Sequence, residues 1–262
     1  MPFVLFENVS ITFFKQQGLL PFTAVENFEL SIEEGEFFCL LGPSGCGKTT
    51  VLNMLAGFDR PTDGRITKKG ADVQQPGRDR GVVFQGEDSL FGWLSASDNV
   101  AFGPKLEGIP KAERERIAKR YLSLVGLGDH GHKFPHEMSG GMKQRTQIAR
   151  VLANEPDMLL MDEPFAALDS QTRRVLQGEL VRIWKATGKT VLFITHDIEE
   201  AIILGTRIGV MRAGPASAIK ETISIEGVDT KDRRSKNFLE YYRVVHDLIE
   251  DEVGKSLEGE LA

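Results

Sequence analysis

The chain has 262 residues, 41% of them apolar and 27% charged, enough for a sizeable core in one large domain or two small ones that fold without covalent staples. A formal net charge of -6 argues against a broad basic face for nucleic acid, and Cys39 and Cys46 have neither the spacing of a zinc pair nor the number for a disulfide framework. A reduced, cytoplasmic protein is expected; Met1-Pro2-Phe3-Val4 carries no basic lead and no apolar run reaches the length of a membrane span, so any membrane role is expected through a partner.

Phe3 to Val9 and Phe28 to Ile32 are predicted as short strands joined by a Gly/Gln-containing loop, and Glu36 to Leu41 as a buried strand. Thr49 to Phe58 is predicted as a helix, and Arg80 to Gln85 as a short apolar strand. Helical periodicity then runs to about Ala153, with Ile117, Tyr121 and Leu124 on one helix face. Strand character returns at Asp157 to Asp162, Thr190 to Thr195 and Arg207 to Met211, alternating with helices at about 170–187 and 197–204. That alternation predicts a parallel sheet wrapped by helices, interrupted by a helical segment at 89–151. From Ile219 onward the pattern is weak, although Phe238, Leu239, Tyr242, Val245 and Leu248 stripe a short helix.

The first chemical motif is Gly42-Pro43-Ser44-Gly45-Cys46-Gly47-Lys48-Thr49, which fits G-x-x-x-x-G-K-[ST] at every fixed position, after a strand and at a helix start. The pattern predicts a cradle for the phosphates of ATP. Backbone N–H groups ring them, Lys48 reaches the β and γ oxygens, Thr49 ligates Mg2+, and Thr50 extends the same first turn. A glycine-rich turn that binds nothing is the bland alternative, and the flanking elements argue against it. Residues 138–144, Met-Ser-Gly-Gly-Met-Lys-Gln, look like a second anion-binding helix start. Ser139 is placed to cap a helix from Met142 to Ala153, and Gly140 and Gly141 let backbone approach an anion. Either one chain binds two nucleotides, or each nucleotide lies between the cradle of one chain and the glycine turn of another.

Met158 to Asp162 is an apolar strand ending in two acids, Asp162 and Glu163, at the kind of sheet edge where ligands bind. Asp162 is placed to hold Mg2+ through water, and Glu163 to act as general base on the water that attacks the γ-phosphate; a plain surface acid pair before Pro164 is the alternative. Gln85 ends a strand and His196 follows one. Alone, the first reads as a solvated turn residue and the second as a packed histidine; beside a phosphate cradle they fit as sensors of γ-phosphate and metal.

Gly42 to Thr49, Gln85, Ser139-Gly140-Gly141, Asp162-Glu163, Ala167-Leu168-Asp169 and His196 follow the order and spacing of an ATP-binding cassette (ABC) transporter ATPase, a resemblance that covers about residues 3–213. It implies an α/β P-loop NTPase (RecA-like) nucleotide-binding domain with an N-terminal antiparallel β subdomain and an inserted α-helical subdomain. The implied division is a core at 1–88 and 152–215, a helical subdomain at 89–151 carrying the signature turn, and a partly helical tail at 216–262. By the same resemblance Gln85 is similar to the lid glutamine, His196 to the switch histidine, Glu163 to the catalytic glutamate and Asp169 to the aspartate that crosses a dimer interface. Phe13 stands where the family stacks an aromatic on adenine, with Phe14 as competitor. Met138 and Met142 depart from the commonest signature, Leu-Ser-Gly-Gly-Gln, the first conserving volume, the second removing an amide.

A finer resemblance, to importers of nitrate, taurine and other sulfonates, rests on Asp79 to Gln85, Trp93, Asp98 to Gly103 and Thr195 to Ala201. It implies ATP and Mg2+ as ligands and a second ATPase subunit as partner. It also implies membrane permease subunits docking near Leu90, Phe91, Trp93 and Leu94, a solute-binding protein acting through them, and a place on the cytoplasmic face of the membrane. The docking residues read equally well as local helical core. A soluble ABC ATPase acting on nucleic acid or ribosomes is disfavoured by the single cassette, and a regulator without turnover by the intact Lys48, Asp162, Glu163 and His196.

Overall fold

A computed structural model describes residues 1–14, 21–86, 89–227 and 233–260. Residues 15–20, the Gly/Gln-containing part of the loop expected between the first two strands, and the core boundary expected at residue 88 lie outside the described residues. In chain order the elements are β1 (Val4–Phe13), β2 (Phe22–Ile32), β3 (Phe37–Leu41), α1 (Lys48–Ala56), β4 (Asp63–Lys68), β5 (Ala71–Asp72), β6 (Arg80–Val83), α2 (Ala96–Leu106), α3 (Lys111–Leu124) and α4 (Gly140–Leu152). There follow β7 (Met158–Asp162), α5 (Ser170–Thr187), β8 (Thr190–Thr195), α6 (Ile198–Leu204), β9 (Arg207–Met211), β10 (Ile219–Ser224) and α7 (Lys236–Glu260). They divide into two compact units, Met1–Gly77 with Thr190–Ala262, and Arg78–Lys189.

The first unit holds an antiparallel sheet in the order β2-β1-β4-β5. β1 continues four residues past the predicted end at Val9, and β2 begins six before Phe28. The reason lies at Asn8 and Asn27, both in the left-handed region (φ 48 and 47), a conformation asparagine tolerates. The register shifts there, so Phe6 and Val9, three apart, both face the core; such a bulge breaks the two-residue period by which strands are recognised. The sequence pattern does not predict β4 and β5, because they bury only Ile66 and the stem of Lys68.

The same unit holds parallel strands: β3 lies between β8 and β9, with β10 antiparallel on the far side of β9. All five residues of β3 and all six of β8 are buried. Burying a Phe or Leu side chain stabilises by about 1.5–3 kcal/mol, so these strands form the firmest part of the unit. α7 packs on α6 and β9 through Phe238 and Val245, while Leu239, expected on the same stripe, faces outward. Near the other end of α7, buried Glu252 accepts the Ala213 N–H at 2.9 Å and pairs with Lys220 of β10, also 2.9 Å. Residues after Ile219 therefore form a strand and a long helix, joined by charges that come from distant parts of the chain.

In the second unit β6 and β7 run parallel, Arg80 opposite Met158 and Val83 opposite Met161. α2, α3 and α4 pack on one another, and α4 on β6. A Cβ on Gly81 would lie 2.3 Å from Val151 Cγ1, so glycine lets the end of α4 approach the strand backbone. The buried face of α3 is centred on Ala118, Tyr121 and Leu122; Ile117 and Leu124, expected on it, are half-buried at its margins.

Candidate functional site

The carboxyl ends of β3 and β8 are adjacent, with Leu41 opposite Thr195. Gly42 and His196, the next residue of each chain segment, therefore leave the same edge of the first unit. Gly45 and Gly47 have φ of 80 and 93, where a side chain is disfavoured, and a Cβ on Gly47 would meet Val25 Cγ2 at 2.8 Å. Gly47 is the N-cap of α1 and has no side chain with which to accept from the first turn, so those N–H groups are suited to an external anion. Lys48 is only 6% exposed, and its ammonium donates to the carbonyl oxygens of Gly42 (2.7 Å) and Pro43 (2.8 Å), which folds it over the loop.

Ser44, Gly45 and Thr49 are exposed on the loop and first turn, Pro43 and Thr50 half-buried, and Cys46 buried. Burial pushes the Cys46 thiol up, against the pull of the Lys48 ammonium. N–H groups, an ammonium and an exposed hydroxyl are the donor set that a polyphosphate with Mg2+ requires. Phe13 is the last residue of β1, paired with Phe22; it is 37% exposed and Phe14 75%, so each offers a ring face to solvent.

In the second unit the parallel pairing of β6 and β7 brings Gln85 and the acids Asp162 and Glu163 to one edge. Gln85 lies two residues past β6, in a bend and exposed, instead of ending the strand. Asp162 closes β7, and Glu163 follows with φ 41, a left-handed conformation that costs a residue with a Cβ on the order of 1–3 kcal/mol. Asp169 is the N-cap of α5, accepting the N–H groups of Gln171 and Thr172 at 3.0 Å each, and hydrogen bonds led by the Thr172 side chain hold its carboxyl below the usual range.

Ser139 caps α4 as expected, its hydroxyl accepting the Met142 N–H at 3.4 Å, although the helix begins two residues earlier, at Gly140. Gly141 sits against the start of α5, where a Cβ would meet Thr172 Cγ2 at 2.8 Å. Met138 is buried, and Met142 half-buried. Two turns along, Gln147 donates to the Phe84 carbonyl at 3.1 Å; eight residues of helix put this contact ~12 Å from Ser139. The glycine turn is thus held apart from the strand end that carries Gln85.

Sequence reasoning missed Gln147 and Asn99, two amides whose role shows only in three dimensions. Buried Asn99 accepts the Phe91 N–H and donates to the carbonyls of Phe91, Leu94 and Ser95, fixing the loop that shows Trp93, which is 75% exposed. Phe91 is half-buried against Trp93 and Phe102, with the Arg150 guanidinium 5.2 Å from its ring centre. Leu90, expected among the docking residues, is buried and so offers a partner little surface.

A family model described as ABC transporter matches residues 25–166. An uncharacterized ABC transporter ATP-binding protein of Methanocaldococcus jannaschii is 49% identical over 89% of this chain and 87% of its own. A taurine import ATP-binding protein of Rhizobium johnstonii is 54% identical over 75% and 74%. A nitrate import ATP-binding protein of Synechococcus elongatus is 46% identical over 85% and 81%. Among solved structures, a dimeric ATP-binding cassette in a post-hydrolysis state with ADP and Pi superposes with a TM-score of 0.71 at 32% identity, covering 86% of this chain and 100% of the other.

Proposed function

Because the chain belongs to the ABC transporter family of ATP-binding proteins, whose members hydrolyse ATP, we propose that it is the ATPase subunit of an importer for taurine or another sulfonate. Nitrate or bicarbonate is the alternative solute. The observation that carries the ATPase reading is the pairing of Leu41 with Thr195, which puts the glycine loop and His196 at one sheet edge. The names of the relatives favour a small solute bearing an oxyanion group without choosing one.

In this reading the N–H groups of residues 42–50 and the Lys48 ammonium bind the phosphates of ATP. Thr49, Gln85 and Asp162 would hold Mg2+, which when bound would supply positive charge against the phosphates. Glu163 orients the attacking water and takes its proton. His196 donates to the γ-phosphate, and Phe13 stacks on adenine. Ser139, Gly140 and Gly141 complete the phosphate shell of a second copy, consistent with their distance along α4 from Gln147. Two chains then close head to tail because only the closed pair completes both cradles, and hydrolysis removes that differential affinity. The 1–88 and 152–215 core acts as the nucleotide-binding part, the 89–151 segment as the moving arm, and 216–262 as a tail docked on the core.

No helix among the described residues is long and apolar enough to cross a membrane. Attachment at the cytoplasmic face would come from permease subunits seated on Trp93 and Phe91, with the solute-binding protein acting through them. Glu163→Gln should give an ATP-stabilised dimer with little turnover; a monomer under those conditions would sink the dimer mechanism. In the purified membrane complex, taurine presented by the cognate binding protein should stimulate ATP hydrolysis more than nitrate or bicarbonate, and the reverse order would transfer the assignment.

A further inference from the structure

The geometry points to Glu200 as a positioning residue for His196, acting through the Thr195 hydroxyl; this rests on the proposed role of His196 in hydrolysis. Thr195 ends β8, with Glu200 in the first turn of α6. The Thr195 hydroxyl donates to Glu200 Oε2 at 2.7 Å and accepts the Asp197 N–H at 3.0 Å. The Asp197 carboxylate in turn accepts the Glu200 N–H at 3.2 Å, and its carbonyl the Ala201 N–H at 3.1 Å. The residues on either side of His196 are thus tied to each other and to α6.

Glu200 is 4% exposed on a helix whose next four residues, Ala201 to Leu204, are apolar and buried. A carboxylate in such a place carries a desolvation cost that an apolar residue would avoid, and its charge also raises the buried Cys39 thiol behind burial itself. What the carboxylate supplies is direction. By taking the Thr195 proton it turns a hydroxyl lone pair toward the Asp197 N–H, which sets the backbone on both sides of His196 and hence where the exposed imidazole emerges. An outer contact, Arg233 to Glu199, holds the same helix from the tail.

The test is ATP hydrolysis by the full chain, with fluorescent-nucleotide binding and thermal melting as checks. Misplacement of a reacting group costs on the order of ten- to a hundredfold in rate. Glu200→Ala and Thr195→Val should each lower kcat on that scale with KM for ATP little changed. Glu200→Gln and Thr195→Ser, which keep an acceptor and a hydroxyl, should restore most of it. In a His196→Ala background, Glu200→Ala should cost nothing further. An equal loss in both backgrounds, or wild-type kcat for Glu200→Ala, overturns the inference. If Glu200→Ala fails to fold, Thr195→Val decides the same question: a lowered kcat that Thr195→Ser restores supports the inference, and a wild-type kcat overturns it. Undiminished hydrolysis by His196→Ala instead overturns the role of His196 and the inference with it.

Discussion

The candidate residues of the two units hang from strands of different character. The glycine loop and His196 leave β3 and β8, whose every residue is buried. Gln85 and the acids leave β6 and β7; β7 buries four of its five residues, whereas β6 buries only Val83, and Gln147 donates to the Phe84 carbonyl just past its end. The strands behind the glycine loop are set by many small apolar terms that no single substitution removes. Around Gln85 and Glu163, the residues proposed for hydrolysis, a polar contact and a strained backbone add terms that one substitution can delete. Changes in the glycine loop should therefore damage folding and binding together, and a change at Glu163 should damage turnover alone.

Glu163→Gln is the sharpest way to break this contrast. Turnover should fall by about 10²–10⁴-fold while nucleotide binding, read by fluorescence, stays near wild type; a parallel loss of binding would erase the distinction. Gly47→Ala should act oppositely, destabilising the chain by about 1–3 kcal/mol and weakening nucleotide binding, because the φ of 93 and the Val25 contact both resist a Cβ. Normal urea stability and binding in that variant would contradict the rigid-cradle account. Gln147→Leu leaves the Phe84 carbonyl without its amide partner and should cost about 1–3 kcal/mol, with faster amide exchange in the second unit and a lower kcat; unchanged exchange would show that Gln147 is not the support.

The smallest effect is pH-dependent. The Asp169 carboxyl titrates below its usual range when folded, so its cap stabilises fully above the unfolded value of about 3.9 and is lost as pH falls through the lowered folded value. Wild type should melt above Asp169→Ala by a margin that is constant from neutral pH down to about pH 5 and disappears in stronger acid. A margin that vanishes near neutrality would mean that another group is responsible.

The parallel core was legible because β3, β7 and β8 are unbroken apolar runs and the glycine loop has a fixed spacing. The ends of α5, β8 and β9 fall where the pattern put them. The antiparallel sheet was legible only in part: Asn8 and Asn27 interrupt its alternation, and β4 and β10 bury too little to announce themselves. Residues proposed to recognise ligands by type were visible one at a time. Residues that hold them, Gln147, Asn99 and Glu200, were not, because an amide or a carboxylate reads as surface until its distant partner is known.

The folded-back ammonium of Lys48 bears on how fast nucleotide can be exchanged. Its hydrogen bonds to the Gly42 and Pro43 carbonyls are made by the protein alone, so the conformational entropy of ordering the loop is lost during folding and not at each encounter with ligand. In the proposed site, arrival of a phosphate would ask the ammonium only to trade neutral oxygens for charged ones. Under the proposed function, release of nucleotide would then need no unfolding of the cradle.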